Sequence, residues 1–218
     1  MELAILQTLC YHDLFDYPLT LKEIHRFLIG SAKRKAQNLK LQLETQNLIK
    51  EGKIERKGSF YFLKGREKIV VIRKRREKYS QKKLLIAKKA ARFLRLILTI
   101  KMVAVTGALA INNSQNDDDI DFLIVTQTDR LWLTRIQAVL LIELMGMRRR
   151  AQDVEVTDKL CLNIFLDENH LALPRNKRNL FTAHEIALMK LLWQRDNVYQ
   201  KFLKENQWIK RFLPNWKN

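Results

Sequence analysis

The chain has 218 residues, of which 47% are hydrophobic, and its formal net charge is +18. That length suits one large domain or two small ones. Only two cysteines occur, Cys10 and Cys161, and no apolar run approaches the roughly 20 residues that span a bilayer, which excludes a disulfide-rich domain and an integral membrane protein. The first residues lack a secretory signal pattern. We therefore expect a cytoplasmic protein with no membrane partner, in which both cysteines are buried free thiols.

Residues 1–65 are predicted to form three helices followed by a β-hairpin. Thr20 and Glu23 have the spacing of a capping box, which opens the second helix. Helical spacing predicts that Leu3 and Leu9 of the first helix and Leu39 of the third face the core. The helices are expected at Glu2 to His12, Thr20 to Ile29 and Ala32 to Lys50, and the hairpin strands at Lys53 to Lys57 and Phe60 to Leu63.

This order of elements resembles a winged-helix domain. The third helix of that fold often enters a nucleic-acid groove, so the resemblance implies phosphate contacts for Lys33, Arg34 and Lys35. Many winged helices instead dock other proteins, and that alternative stays open.

Residues 66–98 are predicted to form one long basic helix that links the two halves of the chain. Residues 66–101 contain 14 basic and 2 acidic residues, a net charge of +12. A polyanion bound along such a helix would relieve the repulsion between its charges. The candidate phosphate contacts, with RNA favoured over DNA, are Arg73, Arg75, Arg76, Lys82 and Lys83. A basic surface with no specific partner is the alternative.

The stretch from Met102 to Thr126 is predicted to form a strand, a turn at Gly107, a polar loop and a second strand from Ile120 to Val125. Side chains alternate between the faces of a strand, so Asp119 and Asp121 point to the same face. Two neighbouring carboxylates repel each other unless a cation lies between them. Mg²⁺, a hard ion that prefers oxygen ligands, fits such a pair.

This stretch resembles the nucleotidyltransferase superfamily of DNA polymerase β and its minimal bacterial relatives. The family pattern is a hydrophobic strand, a glycine turn, about ten residues, and then Asp-hydrophobic-Asp on the next strand. The resemblance implies that Asp119 and Asp121 are catalytic residues that hold Mg²⁺. It also implies that Gly107 and Ala108 cradle the triphosphate of an NTP, ATP or CTP. Asn113 in the polar loop and Arg130 at the start of the next helix are candidate contacts to that nucleotide, and for Arg130 an ordinary surface charge is the alternative.

Two positions depart from the family pattern. Ala108 stands where the family has serine, which removes a hydroxyl from the phosphate turn. Asn163, central in the predicted strand Leu160 to Leu166, stands where active members usually carry a third carboxylate. An amide cannot accept a proton from an attacking hydroxyl, so the sequence assigns no general base.

The rest of the chain is predicted to be helical. A helix from Asp129 to Met145 is apolar enough to be mostly buried. Thr182 and Glu185 form a second apparent capping box, which predicts a helix continuing through Trp193. A last helix is expected from Val198 to Phe212.

We therefore expect an α+β fold: a winged helix over 1–65, a basic linker helix over 66–98, a mixed-sheet nucleotidyltransferase core over 99–168 and C-terminal helices over 169–218. The expected function is Mg²⁺-dependent transfer of a nucleotidyl group from an NTP to an acceptor hydroxyl, with RNA as one possible acceptor. Two alternatives stay open: an inactive nucleic-acid-binding or regulatory protein on the same fold, and a nucleotidyltransferase of protein acceptors similar to antitoxin-type enzymes. The sequence leaves the oligomeric state open.

Overall fold

Residues 1–30 and 38–216 are described by a computed structural model, and they form an α+β protein with two sheets. The α+β class is therefore confirmed. The chain divides into two units. Unit 1 contains 1–75, 179–187 and 208–218, and unit 2 contains 76–178 and 188–207. The segment 169–218, expected as one C-terminal helical part, contributes to both units.

Unit 1 begins with the expected helices and hairpin. Its elements are α1 (Glu2–Asp13), β1 (Leu19–Thr20), α2 (Leu21–Arg26), α3 (Asn38–Lys50), β2 (Ile54–Lys57) and β3 (Phe60–Leu63). Thr20 caps α2 in the predicted capping box. The three strands form an antiparallel sheet in the order β1-β3-β2. This element order agrees with the expected one, and the winged-helix assignment remains a prediction.

The buried faces of α1 and α3 differ from the predicted ones. Leu9 is buried as predicted, but Leu3 and Leu39 are exposed, whereas Ile5 and Leu41 are fully buried. Both helices carry apolar residues on more than one face, so spacing alone selected some of the wrong residues. The prediction of a buried Cys10 was also wrong, because its side chain is exposed.

Arg73 is the clearest correction to the predicted phosphate contacts. It lies in α4 (Lys68–Leu94), which confirms the long basic helix, but it is buried. Its guanidinium pairs with Glu23 at 2.8 Å and lies 4.1 Å from the centre of the Tyr17 ring. The charge is therefore used to hold α2 against α4 inside unit 1.

Helix α7 (Leu180–Leu188) joins unit 1 through a buried aromatic contact. His184 stacks on Tyr11 with ring centroids 4.0 Å apart, and its Nδ1 bonds the carbonyl of Leu180. Burial lowers the pKa of His184 to about 4, so the ring is neutral at physiological pH. Asn179 and Thr182 cap this helix reciprocally; the predicted cap at Thr182 was three residues late.

Unit 2 is built on a four-stranded mixed sheet in the order β6-β5-β4-β7. Its further elements are β4 (Ile100–Val105), α5 (Gly107–Ala110), β5 (Ile120–Thr126), α6 (Leu131–Leu144), β6 (Leu160–Asp167), β7 (Lys190–Gln194), α8 (Val198–Glu205) and the 3-10 turn Arg175–Lys177. A second 3-10 turn, Gln207–Arg211, lies mostly in unit 1. Strands β5 and β6 are parallel and joined by α6, whereas β4 is antiparallel to both β5 and β7.

The predicted helix through Trp193 was wrong, because β7 occupies that segment. Leu188 ends α7, and Val103 pairs with Trp193 across the sheet. A short apolar segment can satisfy either structure locally, and here hydrogen bonds to β4 decide the outcome.

One face of the unit 2 sheet carries the apolar core. Ile120, Phe122 and Ile124 of β5 pack in one cluster with Ala90 of α4 and Ala138 of α6. Asp119 and Asp121 alternate with these residues and therefore project from the opposite face. No helix among the described residues is long and apolar enough to cross a membrane.

Helix α6 was expected to be mostly buried, and that expectation was wrong. Thr134, Ala138 and Ile142 are buried, but Trp132 and Leu144 are largely exposed. The helix thus has an apolar face toward the sheet and a second one toward solvent.

Candidate metal centre

The two carboxylates lie where β5 begins. Asp119 immediately precedes the strand and Asp121 is its second residue. Burial, and then the charge of Asp119, raise the pKa of Asp121 above its ordinary value. The two carboxylates therefore repel each other, and a bound cation would relieve that repulsion.

Gly107 follows strand β4 and lies close to the carboxylate of Asp121 on the neighbouring strand β5. It has φ +62°, a left-handed conformation that disfavours other residues. A Cβ at this position would lie 3.4 Å from Oδ2 of Asp121, in van der Waals contact with it. The lack of a side chain leaves that space beside Asp121 open. Ala108 is exposed next to it, and its carbonyl accepts a hydrogen bond from the Asn113 N–H at 2.8 Å.

Strand β6 adds two polar side chains beside Asp121. Cys161 is paired with Asp121 in the sheet, and the register then shifts so that Leu123 pairs with Ile164. Asn163 lies in this irregularity, and its Nδ2 donates to Oδ1 of Asp121 at 3.4 Å. One ligand atom each from Asp119, Asp121 and Cys161 lie within 4.8 Å of one another.

The donor set favours a hard cation held mainly by oxygen. Burial, Asp121 and Asp119 together raise the pKa of the Cys161 thiol to about 11. The carboxylates of Asp119 and Asp121 are ligands that Mg²⁺ accepts. Together with Cys161 they form a group that could hold a metal ion, and Asn163 lies beside this group.

The positively charged side chain of Arg149 lies at the site. Its guanidinium donates to Oδ2 of Asp119 at 2.7 Å. The backbone explains the placement, because Arg149 N–H donates to the carbonyl of Leu160 and Leu160 N–H donates to that of Met147. The segment after α6 is thus attached to the start of β6, next to Asp119.

Three polar residues on one face of α4 fasten the loop that leads to Asp119. Ser80 Oγ accepts the Ser114 N–H at 3.0 Å, and Arg76 reaches Asn113 at 3.4 Å. Lys83 is 1% exposed. Its ammonium donates to the carbonyls of Asn116 and Asp118 at 3.0 and 2.6 Å and to Oδ1 of Asp158 at 2.8 Å.

These contacts change the interpretation of several predicted residues. Lys83 was expected on the exposed face of α4, and that expectation was wrong, because its charge is buried against three oxygens. Arg76 is half-buried and engaged with the loop. Asn113 is buried within the same loop.

Arg75 is exposed, as is Lys82, whose ammonium lies 3.5 Å from Asp158. The predicted contacts Lys33, Arg34 and Lys35 lie outside the described residues.

Arg130 is placed away from the carboxylates. It follows the end of β5, whereas Asp121 lies at its beginning, and seven strand residues extend roughly 20 Å. The chain returns along α6, so it is the segment after this helix, with Arg149, that reaches the carboxylates.

Sequence reasoning missed Cys161 and Arg149. The alternation of β6 gives a signal for the first, because Cys161 precedes Asn163 by two residues. The signal for the second is the parallel crossover, since a helix between parallel strands ends near the start of both.

Comparison with models of known families, with curated proteins and with solved structures finds no match to this chain.

Proposed function

We propose that the protein is a Mg²⁺-dependent nucleotidyltransferase that moves a nucleotidyl group from ATP or CTP to an acceptor hydroxyl. The observation that carries this proposal is the pair of carboxylates on one strand face beside a glycine turn with positive φ. That combination offers a cation site and an unobstructed approach for phosphates.

Each residue of the site has a part in the proposed reaction. Asp119 and Asp121 hold Mg²⁺, which when bound neutralises charge on the triphosphate. Asn163 orients Asp121 through its amide, and Gly107 leaves room for the phosphates. The acceptor hydroxyl oxygen forms a bond to the α-phosphorus, the bond from that phosphorus to the α–β bridging oxygen breaks, pyrophosphate leaves, and the hydroxyl proton passes to solvent.

The labelling experiment incubates the protein with each α-³²P-NTP, Mg²⁺ and total RNA. The wild type is compared with Asp119→Ala/Asp121→Ala and with Asp117→Ala, which removes an exposed carboxylate of the same loop. We expect label on RNA for the wild type and the control, and a loss of at least about 100-fold for the double variant. Label on protein instead of RNA would identify a protein acceptor.

A second function is favoured by the pairing of Arg149 with Asp119. A site in which arginine already pairs with one carboxylate, with Asn163 in place of a third carboxylate, fits a protein that binds nucleic acid without catalysis. The exposed basic residues of α4 in unit 2 would supply phosphate contacts: Lys78, Lys82, Lys88 and Lys89. Salt-dependent RNA binding that is equal in wild type and double variant, with no label transferred, would select this function.

A further inference from the structure

The outward face of α6 carries five exposed large apolar side chains, all described by the structure. We define this face by its large apolar side chains and their exposed fractions: Trp132 72%, Leu133 48%, Ile136 57%, Leu140 57% and Leu144 87%. They lie opposite the buried stripe of Thr134, Ala138 and Ile142.

A helix with apolar side chains on two faces normally has both of those faces covered. With about 150–250 Å² for a fully exposed large side chain, the outward face of α6 offers on the order of 600 Å² of apolar surface. That value reaches the upper end of the largest patch on a typical monomer, where such patches mark interaction sites. The sequence of α6 therefore indicates a partner.

We infer that the outward face of α6 binds the same face of a second copy of this chain. Trp132, Ile136, Leu140 and Leu144 are spaced by four residues and form one continuous ridge. The commonest helix packing sets such a ridge of one helix beside the same ridge of another. A second copy presents an identical ridge.

The ridge is symmetric about the level of Ala138. In an antiparallel pair with a two-fold axis at that level, Ile136 meets Leu140 of the second copy and Trp132 meets Leu144. Every contact then occurs twice, as an isologous interface requires. The paired faces bury about 1,200 Å² in total, the lower end of the range for specific interfaces.

Charged side chains lie toward the ends of this ridge. Glu143 pairs with Arg148 and Arg150, and the Arg135 guanidinium lies 5.9 Å from the centre of the Trp132 ring. Ile136 and Leu140, which lie nearest the proposed two-fold axis, are both apolar.

The test measures molecular mass by sedimentation equilibrium between about 1 and 100 µM. The expected wild-type species is the dimer, twice the chain mass of 25.9 kDa. Ile136→Glu/Leu140→Glu and Ile136→Lys/Leu140→Lys each place like charges opposite each other and should weaken self-association at least about 100-fold. Because each Glu then faces a Lys, an equimolar mixture of the two double variants should restore the dimer.

Leu85→Glu is the matched control, since Leu85 is 68% exposed but lies on α4; it should leave the dimer unchanged. Far-UV circular dichroism and thermal melting verify that each variant is folded. A monomeric wild type at 100 µM, double variants that still dimerise, or a mixture that stays monomeric would each overturn the proposal. Wild type that stays monomeric and binds phosphatidylcholine–phosphatidylglycerol vesicles, with the Glu double variant not binding, would replace the second copy by a lipid surface.

Discussion

Helices α4 and α6 cover the same face of the unit 2 sheet, yet they place their side chains in opposite ways. The strongly basic α4 buries polar groups, with Ser80 and Lys83 at 0% and 1% exposure. The strongly apolar α6 exposes Trp132 and Leu144. Composition would have predicted the reverse.

The difference shows that burial follows the partners available to a side chain. Lys83 can be buried because carbonyls and a carboxylate satisfy all three of its donors. The apolar side chains of α6 outnumber the positions that face the sheet, since a helix offers a single sheet only one stripe.

Removing the charge of Lys83 is expected to have as large an effect on stability as any of the changes considered for these two helices. Lys83→Met should lower the free energy of unfolding by about 2–4 kcal/mol, because two buried carbonyls lose their partner and Asp158 keeps only the more distant ammonium of Lys82. Urea denaturation followed by circular dichroism measures the loss. Lys82→Met, the adjacent residue with a 73% exposed side chain, should change stability by less than about 0.5 kcal/mol. Equal effects of the two substitutions would mean that the buried contacts of Lys83 do not contribute to the free energy of unfolding.

The two faces of α6 can be compared with one residue type. Ile142→Ala should cost about 2–4 kcal/mol because it leaves a cavity against the sheet. Ile136→Ala, on the outward face, should cost less than about 0.5 kcal/mol. Both are measured by urea denaturation at submicromolar concentration, where self-association contributes least. A large loss for Ile136→Ala under those conditions would show that this side chain is covered within one chain.

Ser80 tests the polar face of α4 with a smaller change. Ser80→Ala removes the acceptor of the buried Ser114 N–H and should cost about 1–2 kcal/mol. Faster amide hydrogen exchange over residues 113–118 is the specific readout. Unchanged exchange there would show that the loop does not depend on α4.

Asp121 contrasts with Lys83 as an ionisable group without full compensation. Its raised pKa means that the folded state holds the proton more tightly than the unfolded state. The stabilisation is complete below the unfolded pKa and is lost as pH rises through the folded pKa, so ionised Asp121 is destabilising at pH 7. Asp121→Asn should therefore raise the melting temperature at pH 7 without Mg²⁺, and the gain should vanish at low pH. Wild type should gain stability from added Mg²⁺, and the variant should gain less. A lower melting temperature for Asp121→Asn at pH 7 would contradict this electrostatic account.

Local sequence signals predicted most elements of the fold. The capping box at Thr20, the hairpin around Gly58 and the strands around Gly107 are set by nearest neighbours, and they appear where expected. The strand β7 was not predictable in this way. Its pairing partner β4 is about 90 residues earlier, and the segment itself fits either helix or strand.

The site was predictable in part for the same reason. The spacing of Asp119 and Asp121 on one strand is local, and so is the turn at Gly107. The position of Arg149 depends on how α6 returns the chain to the start of β6, and the buried role of Lys83 depends on a loop more than 30 residues away.

The division of the chain has a consequence for its synthesis. Unit 1 includes residues 179–187 and 208–218, and unit 2 needs β7 from residues 190–194. Unit 2 is complete only when residue 207 has left the ribosome, and unit 1 needs residues that follow it, so unit 1 cannot finish folding before unit 2 has been synthesised. When the first 178 residues have emerged, one edge of β4 still lacks its partner strand β7. Tyr11 also lacks His184, the ring on which it stacks. A chaperone that shields such edges would therefore act longer on this chain than on one built from consecutive domains.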